Sequence, residues 1–263
     1  MAISWRASLL GWIIFVTACA MSPTGRQQLA LLPAQQLDAM GAESFAKLKQ
    51  SKPLETDKRI NNYVRCVVWD ITAGLGGGQW EVAVFRDKTP NAFALPGGKI
   101  GVYSGLLKVA KNQHQLAAVI GHEVGHVLAN HANERVSQQL AVQGGLGAVG
   151  SLAGNVDPGT QKALLQGLGL GAQFGILLPF SRTQETEADI IGLDLMARAG
   201  YDPRESVALW QNMARATGGQ TPQFMSTHPS HGTRTQTLQG HMGQAMQTYQ
   251  TARARGRQPR CKR

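Results

Sequence analysis

Between Ala118 and His131 the chain reads AVIGHEVGHVLANH, and no other stretch narrows its possible folds so far. His122 and His126 are four residues apart, so on an α-helix they stand one above the other, about 40° apart around the axis. Leu116, Ile120, Val124 and Val127 form a separate stripe roughly a quarter turn or more away. Such a helix can turn the stripe to a core and both imidazoles to a cleft.

The spacing is that of an H-E-x-x-H motif. Two imidazoles at i and i+4 can reach one tetrahedral zinc ion, and Glu123 then lies beside the metal without ligating it. There it can take a proton from water as that water attacks a carbonyl. Gly125 leaves room beside the metal. The competing reading is an exposed helix with ordinary surface histidines. A catalytic zinc needs a third protein ligand and one open position. The extended motif would place a glycine three residues and a histidine six residues after His126. This chain has Ala129 and Ala132 there, and His131 falls one position short, so the third ligand comes from elsewhere.

The best candidate is SRTQETEADIIGLDLM, Ser181–Met196, which opens like a capped, acidic helix. Glu185 and Asp189 are at i and i+4 and share a face. One can ligate zinc while the other accepts the spare N–H of a ligand histidine. Taken alone, the pair is also what a solvated helix N-terminus carries, because the dipole favours acids there.

At 263 residues and 43% hydrophobic content, the chain can bury one substantial core. Its formal charge of +10 is unevenly spread, with Arg253, Arg255, Arg257, Arg260, Lys262 and Arg263 crowding the end. That tail is expected to be a solvated, mobile end, the sharper alternative being attraction to anionic headgroups or a polyanion. No aromatic-interleaved basic stripe points to nucleic acid.

The first residues, MAISWRASLLGWIIFVTACA, carry one early charge at Arg6, a short apolar run and then small residues. This is the shape of a secretory signal, and the run is too short to span a bilayer. Val16-Thr17-Ala18-Cys19 resembles a bacterial lipobox, in which the cysteine is acylated and becomes the new N-terminus; an ordinary cleaved signal is the alternative. Acyl chains on Cys19 would hold the chain to a membrane, and Ala20 after it suits sorting to the outer membrane, facing the periplasm. With Cys19 so used, Cys66 and Cys261 remain, and in an exported chain two cysteines suggest a disulfide rather than two free thiols.

Residues 22–33 read as a linker. AQQLDAMGAESFAKLKQS and LETDKRINNYVRCVVWDI both read as helices, the second with Ile60, Val64, Val67, Val68 and Ile71 at helical spacing. WEVAVFR alternates like a strand, and NAFALPGGKIGVYSG reads as two strands joined at Pro96-Gly97-Gly98. The expected fold is therefore α+β, mainly helical, with a small antiparallel sheet of about three strands. Residues 140–180 are rich in Gly, Ala and Leu, but Asp157, Pro158 and Lys162 interrupt them, so packed helices or a lid are expected rather than a membrane span.

GHEVGHVLANH followed by SRTQETEAD resembles the HtpX and CAAX-prenyl-protease family of zinc metallopeptidases, peptidase family M48. The resemblance runs from about Leu54 to Leu238. It implies a helical gluzincin-type domain with one zinc ion per chain bound by His122, His126 and Glu185. It also implies Glu123 as general base and Asp189 as the outer partner, with Glu187 off the motif. Asn91, Ala92, Phe93 and Ala94 would form an edge strand beside the site, able to pair with an extended substrate backbone. THPSHGTRTQTL is similar to the family's H-P…R element. It implies His228 near the metal, stabilising an oxyanion or capping the ion at rest, with Arg234 nearby and His231 as a rival by position. A lipobox on a bare catalytic domain resembles the small LoiP-type lipoprotein proteases. The expected organisation is a signal at 1–18, a lipid-anchored linker at 19–33, a metallopeptidase domain at 34–252 and a basic tail at 253–263. The expected partners are extended or misfolded envelope polypeptides. A zinc-binding assembly or chaperone-like lipoprotein with weak proteolysis is the alternative.

Overall fold

The computed structural model describes residues 19–75, 80–139, 141, 180–216, 224, 228 and 234–263. The expectations for 140 and 142–179, and for His231, lie outside them, as does the signal at 1–18.

Cys19–Met21 (β1) and Gln27–Leu29 (β2) pair as an antiparallel hairpin. The segment read as a linker is thus folded, and it is docked: Leu31 N donates to Ser137 Oγ at 2.8 Å and Asn133 Nδ2 donates to Leu32 O at 2.8 Å. The misreading has a physical source, since short polar strands carry almost no hydrophobic period.

Ala34–Ser51 forms α1 and Lys58–Thr72 forms α2, the latter capped by Asp57, whose side chain accepts from Arg59 N. Val64, Val67, Val68 and Ile71 are buried along one face as their spacing requires, while Ile60 is only partly covered. Glu81–Phe85 (β3), Ala92–Leu95 (β4) and Lys99–Tyr103 (β5) form a sheet in the order β3-β5-β4. β4 and β5 make the expected hairpin, turned by Gly97 and Gly98 at φ +74° and +70°, values that favour glycine. β3 runs parallel to β5, so the sheet is mixed, not antiparallel throughout. The chain leaves β3, lays β4 at the far edge and returns through the middle as β5 in the direction of β3. Phe45, Phe85, Phe93 and Tyr103 pack edge-to-face or stacked into a second, aromatic cluster between α1 and this sheet.

Leu106–Val109 (α3) and Gln113–Leu128 (α4) follow, then a helix over 131–139 (α5). Arg182–Arg198 (α6), Arg204–Ala216 (α7) and Arg234–Ala254 (α8) complete the described elements. α4 carries the paired histidines through the centre of the molecule, with every residue from Gln115 to His126 buried. The sequence suggested one apolar face and one open face; the structure covers both.

The partner of α4 is α6, and glycine sets their approach. A Cβ on Gly121 would lie 2.7 Å from Gly192 O, one on Gly125 2.8 Å from Ala188 O, and one on Gly192 2.6 Å from His122 N. None of these can be accommodated without parting the backbones. Gly125 therefore makes room for α6 rather than for a metal.

The basic tail is held as well. Gln113 Nε2 donates to Pro259 O at 3.0 Å, Cys261 N to Gln113 Oε1 at 2.8 Å, and Arg263 Nη1 to Leu107 O at 2.7 Å. The mobile end expected from composition is a docked strap, tied by backbone bonds at Pro259 and Cys261, while most of its basic side chains face solvent. Cys66 of α2 is joined to Cys261 by a disulfide, with the Cα atoms 5.7 Å apart. Non-reducing peptide mapping is expected to recover this pair. Replacing both cysteines by serine should cost about 2–4 kcal/mol, read as a lowered Tm. Free thiols at both positions would contradict the bond. Among the described residues no helix is long and apolar enough to cross a membrane.

Candidate metal centre

Three segments distant in sequence meet at one point. α4 supplies His122 and His126. α6 supplies Glu185 from its first turn, where Ser181 and Gln184 form a reciprocal capping box that fixes the helix start. His228 is tied by its backbone N–H to Phe224 O at 2.8 Å. One ligand atom from each of His122, His126, Glu185 and His228 lies within 4.8 Å of all the others, and all four residues are buried. Among the described residues this is the group made of candidate ligands free of a covalent bond, since the other such cluster contains the disulfide.

The distances inside the group are those of donors crowding a common centre. His122 Nε2 is 3.0 Å from His126 Nε2 and 3.3 Å from His228 Nδ1. Glu185 Oε1 is 3.0 Å from His228 Nδ1 and 3.4 Å from His126 Nε2, and Glu185 Oε2 is 3.5 Å from His122 Nε2. The outer edges of the rings are occupied. His122 Nδ1 is 2.9 Å from Asp189 Oδ1, and His126 Nδ1 is 2.8 Å from His131 Nδ1. With the protons on Nδ1, the two Nε2 lone pairs face one another and a cation between them relieves the repulsion; Arg234 Nη2, 2.8 Å from His122 Nδ1 and 3.1 Å from its Nε2, already brings one positive group to this side. Two imidazoles, a carboxylate and a third imidazole are also a donor set suited to zinc. The residues present fit a divalent metal.

The electrostatics match. Glu185 is held well below the usual carboxylate range: burial opposes this, but His228 and then His122 lower it. Burial pushes His126 well below the ordinary histidine value, so its ring is neutral and its lone pair free. Burial likewise pushes Glu123 up to about 7, with the Glu185 charge adding to the rise.

Glu123 stands next to the group. Its Oε2 accepts from Ala94 N at 3.2 Å, which ties it to β4. Its Oε1 has no hydrogen-bond partner among the described residues and lies 3.5 Å from His228 Nε2. A buried carboxylate oxygen left unpaired is costly unless something binds it.

Of the sequence candidates, Asp189 stands behind His122, and Arg234 reaches both acids, with Nη1 2.9 Å from Glu185 Oε2 and Nη2 2.7 Å from Asp189 Oδ1. The Arg234 guanidinium also stacks on Trp210 at 3.5 Å. β4 lies at the sheet edge with its register set by β5, and Ala94 is the residue of the strand that touches the site. Asn91, Ala92 and Phe93 are buried, and the Phe93 side chain belongs to the aromatic cluster. Cys19 lies in β1.

Sequence reasoning missed several neighbours. Phe180 stacks on the His126 ring at 3.8 Å and Phe224 on the His228 ring at 4.5 Å, shielding the imidazoles from water. His131, excluded as a third ligand, is in place behind His126. Glu187, left out as off the motif, is 3.1 Å from His131 Nε2. The signal for His131 was Asn130, whose φ of +55° ends α4 and swings the next residue back against the helix.

Comparison with known proteins agrees with this geometry. A match to "Peptidase family M48" covers residues 55–242. Mitochondrial metalloendopeptidase OMA1 of Schizosaccharomyces pombe is 40% identical over 194 residues, covering 72% of this chain and 55% of the relative. The human OMA1 metalloendopeptidase is 32% identical over 255 residues, covering 90% of this chain and 48% of the relative. The beta-barrel assembly-enhancing protease of Escherichia coli strain K12 is 28% identical over 197 residues, covering 72% of this chain and 40% of the relative. The chain spans about half the length of the curated relatives it matches.

Proposed function

The chain belongs to peptidase family M48, and on that premise we propose that it is a zinc-dependent endopeptidase of the bacterial cell envelope. It would cut extended or misfolded envelope polypeptides. The observation that carries the reading is the convergence of His122, His126 and Glu185 on one buried point beside an unpaired Glu123 oxygen. The envelope location rests on the lipobox-like Val16-Thr17-Ala18-Cys19, with acyl chains on Cys19 as the anchor.

His122, His126 and Glu185 would hold one zinc ion, which when bound supplies Lewis acidity toward water and the substrate carbonyl. Glu123 takes the proton from the attacking water and passes it to the leaving amine; a carboxyl whose ordinary value is raised toward neutrality is suited to both transfers. Asp189 holds the His122 ring, and Arg234 fixes Asp189 and Glu185 in turn. The β4 edge offers backbone groups to an extended substrate, with Ala94 beside Glu123. Phe180 and Phe224 keep bulk water from the imidazoles.

His228 is the fourth donor, and four protein donors leave no open position. For cleavage His228 has to yield its place and serve the developing oxyanion instead. This same feature favours the second reading, a zinc-binding assembly or chaperone-like lipoprotein whose proteolysis is repressed. The purified full chain is expected to carry one zinc per molecule by elemental analysis. It should cleave an unfolded protein such as casein, stop when a chelator removes the metal, and recover on readdition. A zinc-loaded chain that never cuts casein would favour the second reading, and a chain without metal would remove both.

A further inference from the structure

Glu187 and His131 play no part in the cleavage chemistry above, yet both are buried, His131 against the candidate ligand His126 and Glu187 against His131. His131 Nε2 stands 3.1 Å from Glu187 Oε2, and His131 Nδ1 stands 2.8 Å from His126 Nδ1. The carboxylate can only accept, so His131 as a neutral imidazole carries its proton on Nε2 and presents a bare Nδ1. His126 must then donate from its own Nδ1, which leaves its Nε2 bare and facing the other ligands. The two residues act together as the carboxylate behind a ligand histidine usually does, with a second imidazole interposed.

The far end of this line is held by the N-terminal hairpin. Arg26 Nε donates to Glu187 Oε2 at 2.9 Å, and Thr24 Oγ1 donates to Glu187 Oε1. Arg26 Nη1 and Nη2 clasp Glu134 at 2.6 and 2.7 Å, and Glu134 Oε2 accepts from Gln184 Nε2 at 2.7 Å. Gln184 is the residue that closes the capping box one position before Glu185. A single guanidinium thus braces the supports of two ligands, His126 through Glu187 and His131, and Glu185 through Glu134 and Gln184.

We propose that Glu187 and His131 are positioning residues for His126, and that Arg26 completes the relay, so that docking of the N-terminal hairpin strengthens metal binding. The inference rests on the zinc-site reading above. If the chain is lipid-anchored at Cys19, the element that braces the metal is also the element nearest the anchor.

The test measures zinc affinity of the full chain by competition with a chromophoric chelator, beside the visible spectrum of the cobalt-substituted chain. Glu187→Gln, close to isosteric, and His131→Phe are expected to weaken zinc binding about 10–100-fold and to change the cobalt bands. Arg26→Ala should weaken it by a smaller factor, being one bond further out. Ser137→Ala removes the contact to Leu31, past the end of the hairpin, and leaves Arg26 on Glu187 and Glu134, so it should leave affinity and spectrum alone while lowering the Tm. Variants that melt earlier without zinc but bind it like wild type would reduce the relay to a structural cluster and overturn the proposal. Equal losses in Ser137→Ala would overturn it too. A wild-type chain that binds no zinc would overturn both this inference and the metallopeptidase reading.

Discussion

Replacing Glu123 by glutamine is expected to lower casein cleavage about 10²–10⁴-fold, the range of a general base, while the chain keeps one zinc per molecule. The size of the effect follows from how the residue is placed. Its carboxylate is 2% exposed and is oriented on one side by Ala94 N, while the other oxygen is unpaired among the described residues. Glutamine has the same shape and still offers an oxygen to Ala94 N, so the junction between α4 and β4 should survive. What it cannot do is accept a proton at the open position. Zinc content and Tm report on the fold, and the cleavage rate reports on the proton. Undiminished cleavage would remove Glu123 from the chemistry. Loss of zinc together with activity would mean that the residue supports the ligands rather than the reaction.

The core of this site was legible in the sequence because helix geometry is local. An i, i+4 pair on α4 and another on α6 each define a face without reference to the rest of the chain, and the glycines at 121, 125 and 192 let those faces meet. The helices α1 and α2 and the β4–β5 hairpin were visible for the same reason, through short-range periods and a Pro-Gly-Gly turn. Contacts that depend on the third dimension were not visible. Nothing local says that Glu187 will meet His131, that Arg26 will clasp Glu134 across more than a hundred residues, or that Phe180 and Phe224 will stack on ligand rings. The parallel pairing of β3 with β5 was missed because alternation marks a strand and says nothing about its direction. The tail misled through composition: six basic residues suggest solvation, whereas the Cys66–Cys261 bond and backbone hydrogen bonds to Gln113 hold it down.

Glu185→Ala is expected to abolish stoichiometric zinc binding, with occupancy falling from one per chain to near zero under dialysis that leaves wild type loaded. Glu185 is 3% exposed and is the acid on which both α4 histidines and His228 converge. Alanine has no donor to replace it, and Arg234 Nη1 loses the carboxylate that balances it next to the metal position. A cation would then meet three imidazoles and no carboxylate, beside a guanidinium balanced by Asp189 alone. Asp189→Asn is the discriminating comparison, since the two acids share a face of α6 and sequence spacing alone left their roles exchangeable. Asp189 touches His122 through Nδ1, the atom turned away from the other ligands. Its loss should therefore weaken zinc only about 10–100-fold, as expected for an outer partner. If Asp189→Asn empties the site and Glu185→Ala leaves it full, the two roles are reversed and the geometry of the α6 first turn has been misassigned. If both variants stay fully loaded, no metal is held at the crossing of α4 and α6, and the hydrolytic chemistry has no centre.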